Sequence, residues 1–158
     1  MPALERTRGI GLALDRFRRL LPALWAGWLL CVALLATPAA FATLERAVAG
    51  RTAGRMLAQE AYTSLALAVL LLILERVAAR QAAQAGLPHP ALGAGVILTA
   101  GALFCTVAGY FAVQPMMAAA REGQGPLSFG QLHAVSAAFF IVKAALVAAL
   151  AWRGTQTA

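Results

Sequence analysis

Charge is missing from four long stretches of this chain, and no other feature restricts its fold so sharply. Residues 20–44, 61–74 and 81–120 contain no Asp, Glu, Lys or Arg, and Lys143 alone interrupts residues 123–152. A helix needs about 20 mostly apolar residues to cross roughly 30 Å of hydrocarbon. Only 12% of the residues are charged, against about a quarter in an average soluble domain, so a water-soluble fold is not expected. The expected fold is all-α: an integral membrane four-helix bundle with a short N-terminal amphipathic interfacial helix.

Residues 1–19 read as a basic cytoplasmic segment. Arg6, Arg8, Arg16, Arg18 and Arg19 accompany Ile10, Leu14, Phe17 and Leu21, which recur at helical spacing. The transmembrane domain should occupy residues 20–153, with helices at about 20–41, 57–77, 91–113 and 131–152, followed by a tail at 154–158. The charge-free core of the second helix is only 14 residues long, so polar groups must enter the membrane at its ends. Upstream, Ala49, Gly50, Ala53 and Gly54 suggest an early helix start with close packing through the two glycines. Leu87-Pro88-His89-Pro90 announces the third helix. Gly101, Cys105 and Gly109 form a small-residue stripe along it, read as a packing seam. After Pro115, residues 116–130 read as the longest exposed loop.

Lysine and arginine counts set the expected orientation. The side holding the N-terminal segment, Arg76, Arg80 and Arg153 has eight, and the side holding Arg46, Arg51, Arg55 and Arg121 has four. Both termini are therefore expected in the cytoplasm, with the protein multi-pass in a bacterial inner membrane. A cleavable signal peptide ending near Ala40-Phe41-Ala42 is the rival reading, but the 25-residue stretch 20–44 exceeds the about 7–15 residues of a signal's apolar region. The net charge of +7 comes from arginines at the ends of apolar runs, which favours lipid headgroups over nucleic acid. Cys31 and Cys105 lack ligand spacing and read as buried small residues.

At the fourth helix a more specific pattern emerges. Phe129-Gly130-Gln131-Leu132-His133-Ala134-Val135-Ser136 resembles the F-x-x-L-H-x-x-S signature of the transmembrane protein 205-like family, domain of unknown function 4149. Leu24-Trp25-Ala26-Gly27, the alanine and glycine pairs before the second helix, and Tyr110 with Pro115 share the likeness, which covers most of the chain from about Leu20. Phe140 stands where the resemblance implies an asparagine, so no polar role carries over through that position. The resemblance implies a four-helix membrane domain without an assigned activity.

Catalytic and cofactor chemistry find little support. His89 and His133 are the only histidines, and connectivity puts them at opposite faces of a bilayer about 30 Å thick, too far apart to ligate one haem iron. The thiols are single and mid-helix, which disfavours disulfide exchange. No G-x-S-x-G and no phosphate-cradling glycine loop is present. No enzyme activity, cofactor, metal site or catalytic residue is expected. A soft-metal carrier using Cys31, Cys105, Met116 and Met117 is a distant reading, because these lie at different depths.

The remaining polar residues gather at one depth. Gln59, Glu60 and Thr63 open the second helix on the outer side, Gln114 closes the third there, and His133 and Ser136 open the fourth. His133, Ser136 and Lys143 fall within about 80° of one another around the helix axis. The plain alternative is that the helix-end residues simply meet headgroups. The sharper reading is an outward-facing site made of Glu60, Thr63, Gln114, His133, Ser136 and Lys143, admitting a small solute, ion or lipid headgroup. Lys143 lies about 13 Å from the cytoplasmic end of its helix, beyond snorkelling reach, and so should face the bundle; the plain alternative is that the fourth helix lies shallower and Lys143 snorkels through lipid. Glu60 is its favoured partner, loosely, because helical rise puts Glu60 about 10 Å nearer the outside and Glu75 about 12 Å nearer the cytoplasm. The functional expectation is a membrane scaffold or small transport-related protein, embedded in the bilayer and homo-oligomeric. The alternative is an accessory subunit packing through Gly101, Cys105 and Gly109 against a larger complex.

Overall fold

The computed structural model describes residues 2–86 and 92–156. The His89 proline segment and the expected start of the third helix at residue 91 lie outside the described residues. Helix α1 (Pro2–Leu30), a π-helical turn (Cys31–Ala36) and α2 (Thr37–Thr43) form the first span. Helix α3 (Arg46–Gln84) is the second, and α4 (Ala94–Thr106), a second π turn (Val107–Ala112) and α5 (Val113–Arg121) form the third. Helix α6 (Phe129–Gln156) is the fourth. All four are long and apolar enough to cross a membrane, and together they make an all-α four-helix membrane bundle.

Lipid provides no hydrophobic drive for helices to associate, so packing and buried hydrogen bonds hold such a bundle. The main core joins Leu21, Trp25 and Leu29 of α1 to Ala68, Leu71 and Leu74 of α3, Ala102 of α4 and Val147 of α6. Large apolar side chains such as Leu34, Ile73, Phe104 and Ile141 point outward, as a surface solvated by acyl chains requires. The Gly101–Cys105–Gly109 stripe is an intramolecular seam. A Cβ at Gly109 would lie 2.5 Å from Cβ of Phe139, and one at Gly101 would lie 3.1 Å from the Leu146 side chain, both on α6. The stripe is thus occupied within the chain, which removes the basis for using it against a larger complex.

Several boundaries differ from expectation. The basic segment runs into the first span as one unbroken α1. Leu14 packs on the core and Arg18 bonds Glu75 of α3 at 3.0 Å. Helix α3 is far longer than residues 57–77, because the alanine-rich flanks contain no proline and the first reversal comes at Gly86, with φ +70°. Its start does come early, but nothing lies within 4 Å of a Cβ on Gly50 or Gly54. The buried residues are Ala49 and Ala53, one position earlier. The expected loop at 116–130 is helical as far as Arg121. There Gly123, at φ +73°, and a bond from Gln124 N–H to Ala119 O close the helix in a Schellman-type turn. Ser128 and Gln131 then cap α6 reciprocally, each side chain bonding the other's backbone N–H.

Both π turns lie within three residues of a following proline. Pro38 is the second residue of α2 and Pro115 the third of α5. Proline has no N–H for the carbonyl four residues back and its ring clashes there, so the turn before it widens instead of breaking the helix.

Candidate functional site

Glu60 sits well inside α3 and is 3% exposed, and its carboxylate is the hub of a buried polar chain. The Lys143 ammonium donates to both of its oxygens, at 2.7 Å and 2.8 Å. The Ser64 hydroxyl, one helical turn along α3, also donates to Oε1. Trp25 Nε1, from the fully buried Trp25 of α1, donates to Ser64 Oγ at 2.8 Å. Three spans are thereby tied through one carboxylate. Phe140 completes the setting: its ring face lies 4.9 Å from the Lys143 ammonium, a cation–π distance.

This pair borders a cavity of about 240 Å³. Glu60, Gln114, His133, Ser136 and Lys143 all line it, so five of the six residues singled out by sequence meet at one place. Thr63 does not. It is exposed, because Glu60 and Ser64 set the inward face of α3 and Thr63 lies about 60° from Glu60 and about 100° from Ser64 around the axis, at the edge of that face. Gln59 is likewise exposed. The expected loose approach of Lys143 to Glu60 is instead a direct contact. The contact is direct because α3 begins at Arg46 rather than near residue 57 and carries Glu60 into the bundle. Glu75, the rejected partner, is engaged by Arg18.

The π turns shape the cavity. Ala33 and Thr37 line it from the first turn and its exit, and Gly109 and Tyr110 from the second. The Ser136 hydroxyl donates to the Gly109 carbonyl at 2.8 Å, joining α6 to the widened backbone. At the rim, Phe129 stacks on His133 with ring centroids 6.0 Å apart, and the Arg121 guanidinium lies 4.6 Å from the same Phe129 ring. Sequence reasoning missed Ser64, Trp25, Thr37 and Tyr110 as members of this environment. The i, i+4 spacing of Glu60 and Ser64 was the one available signal; Trp25 and Thr37 belong through tertiary contact alone.

Cys105 is buried beside the cavity, but Cys31, expected to be buried, is exposed on the outside of the first π turn. Met117 lines the cavity whereas Met116 is 45% exposed. The soft ligands therefore do not converge, and among the described residues no group of three His, Cys, Asp or Glu side chains is placed to hold a metal ion.

A family model described as domain of unknown function, DUF4149, matches residues 20–126. The chain belongs to this family. The match takes in Leu24-Trp25-Ala26-Gly27, the alanine and glycine pairs, Tyr110 and Pro115, but stops before the Phe129–Ser136 run. The family region therefore contains Trp25, Glu60 and Ser64, and Lys143 is contributed by the helix beyond it. Comparisons with curated proteins and with solved structures give no match.

Proposed function

We propose that this member of the family is a non-catalytic, transport-related protein of a bacterial inner membrane. Both termini are cytoplasmic, and a small molecule binds in the cavity on the outward half. The observation that carries this reading is the buried Glu60–Lys143 pair at the wall of a cavity shared with His133 and Ser136. Ionisable groups are costly at membrane depth, and well-packed apolar residues would hold a purely structural bundle at least as well. Orientation is supported by the excess of arginine at the end where α1 and α6 meet, next to Arg18, Arg19 and Arg153.

Thiol labelling tests both parts. In a Cys31→Ala/Cys105→Ala background, Gln114→Cys should react in intact cells with a membrane-impermeant cationic methanethiosulfonate. Reaction confined to inverted vesicles would reverse the orientation. Reaction in neither preparation, but only after denaturation, would remove the open cavity.

A further inference from the structure

We infer that the cavity is filled sideways from the lipid, through a cleft between α2 and α6, by a neutral membrane-dissolved amphiphile of quinone type: a carbonyl-bearing ring on an apolar chain. This rests on the binding reading above and specifies its ligand.

The cleft follows from a change of partner along the first span. Helix α1 packs along α6, but after the π turn at Cys31–Ala36 the chain leans on α3, and no comparable packing links α2 to α6. The two helices diverge above the ion pair. Ala33 and Thr37 form one rim and Ala137 and Ile141 the other. Ala137 is exposed, and Ile141 is 66% exposed on the outer surface of α6. All four rim positions fall within the apolar runs 20–44 and 123–152, so this opening faces acyl chains rather than headgroups or water.

The chemistry inside selects the head. Leu57, Met117 and Phe140 supply apolar walls around the polar floor. The Glu60–Lys143 pair has no net charge: a phosphate arriving at Lys143 meets the Glu60 carboxylate, and a cation arriving at Glu60 meets the ammonium. A neutral acceptor escapes both penalties. Lys143 has three N–H bonds and gives two to Glu60, and Tyr110 and His133, which carry donors, also border the space. These are donors suited to carbonyl oxygens. Size agrees, since a dry cavity of about 150 Å³ accepts benzene, and about 240 Å³ takes a substituted ring but not a two-chain phospholipid. Binding alone is inferred, with no transfer of electrons.

Trp25 offers the readout. Trp28→Phe/Trp152→Phe leaves it as the sole tryptophan, fully buried and bonded through Ser64 to Glu60. Decylubiquinone titrated into this variant in phosphatidylcholine vesicles should quench Trp25 saturably. Adding Ala137→Phe, which fills the cleft without touching the ion pair, should weaken binding at least about tenfold while the thermal midpoint holds. Glu60→Gln/Lys143→Met, which leaves no unpaired charge, should weaken it by about tenfold as well, the scale of a lost charged hydrogen bond. Linear quenching identical in all variants is collisional and overturns the inference, as does saturable quenching that Ala137→Phe leaves unchanged. Saturable binding of phosphatidylglycerol in place of the quinone also overturns it. If Gln114→Cys still labels from outside under any of these results, the binding reading survives and only the quinone assignment falls; if it does not, both fall.

Discussion

Lys143 and Glu60 have the most to lose from substitution, because each is the other's solvation. Their side chains are 4% and 3% exposed, so removing either leaves the partner charged and dry. Breaking a buried pair from one side costs about 3–5 kcal/mol, whereas replacing both partners with neutral groups is often nearly neutral. Lys143→Met should therefore lower the thermal midpoint in detergent sharply, and Glu60→Gln/Lys143→Met should recover most of the loss. Equal destabilisation by single and double variants would show that the pair is not mutually supporting. Ser64→Ala should be milder, since Glu60 keeps both Lys143 bonds, although the Trp25 N–H is then left without its acceptor. Cys31→Ala should leave stability unchanged within about 0.5 kcal/mol, as surface substitutions do, because its thiol faces outward.

Among the helices, glycines of similar sequence context have opposite roles. At Gly109 the α6 helix approaches closely, and Gly109→Ala would drive a methyl group into Phe139 at Cβ, the first side-chain atom, which is fixed to the helix backbone and cannot swing away. It should cost about 1–3 kcal/mol, the scale of overpacking, and should break the Ser136 bond to the π turn. Gly50→Ala meets nothing within 4 Å and should stabilise by about 0.5–1 kcal/mol, as Gly to Ala does within a helix. Comparing the two thermal midpoints checks the pair of predictions together. The first π turn has a separate role, because it turns the chain from α6 toward α3. Pro38→Ala restores the missing N–H and lets the turn tighten to α-helix, rotating α2 toward α6. Decylubiquinone binding, read by Trp25 quenching, should then weaken several-fold with no loss of stability; an unchanged affinity would mean that the proline does not hold the cleft open.

As a whole molecule, the bundle is tied differently at its two ends. At one end Arg18 joins Asp15 and Glu75, at 2.8 Å and 3.0 Å, and Arg19 also bonds Asp15. A Cβ at Gly154 would lie 3.1 Å from the Arg19 carbonyl, so the start of the first span and the end of the last are adjacent. Four crossings put both termini on that side. Reporter fusions after Ala158 and within residues 123–125 should read opposite compartments, with the tail cytoplasmic; a periplasmic tail would overturn the orientation. At the other end, α2 and α5 give a looser arrangement around the cavity, where Val113, Met117 and Leu132 form a small core.

Spans, fold class and the inward turn of Lys143 were legible in the sequence because each follows from one-dimensional costs. A charge-free run must be hidden from water, and a mid-helix lysine must be hidden from lipid. Glu60, Gln114, His133 and Ser136 could be grouped for the same reason, by their shared depth. Azimuth and partner choice are different quantities, set by how whole helices meet. Whether Thr63 or Ser64 turns inward depends on which face of α3 the other spans cover, and whether Gly50 or Ala49 forms a seam depends on where the neighbouring helices lie. The π turns illustrate the division well: Pro38 and Pro115 are plain in the sequence, but a proline can break, kink or widen a helix. Only packing against α3 and α6 decided that these helices widen, and so opened a cavity around a charge pair whose halves lie 83 residues apart.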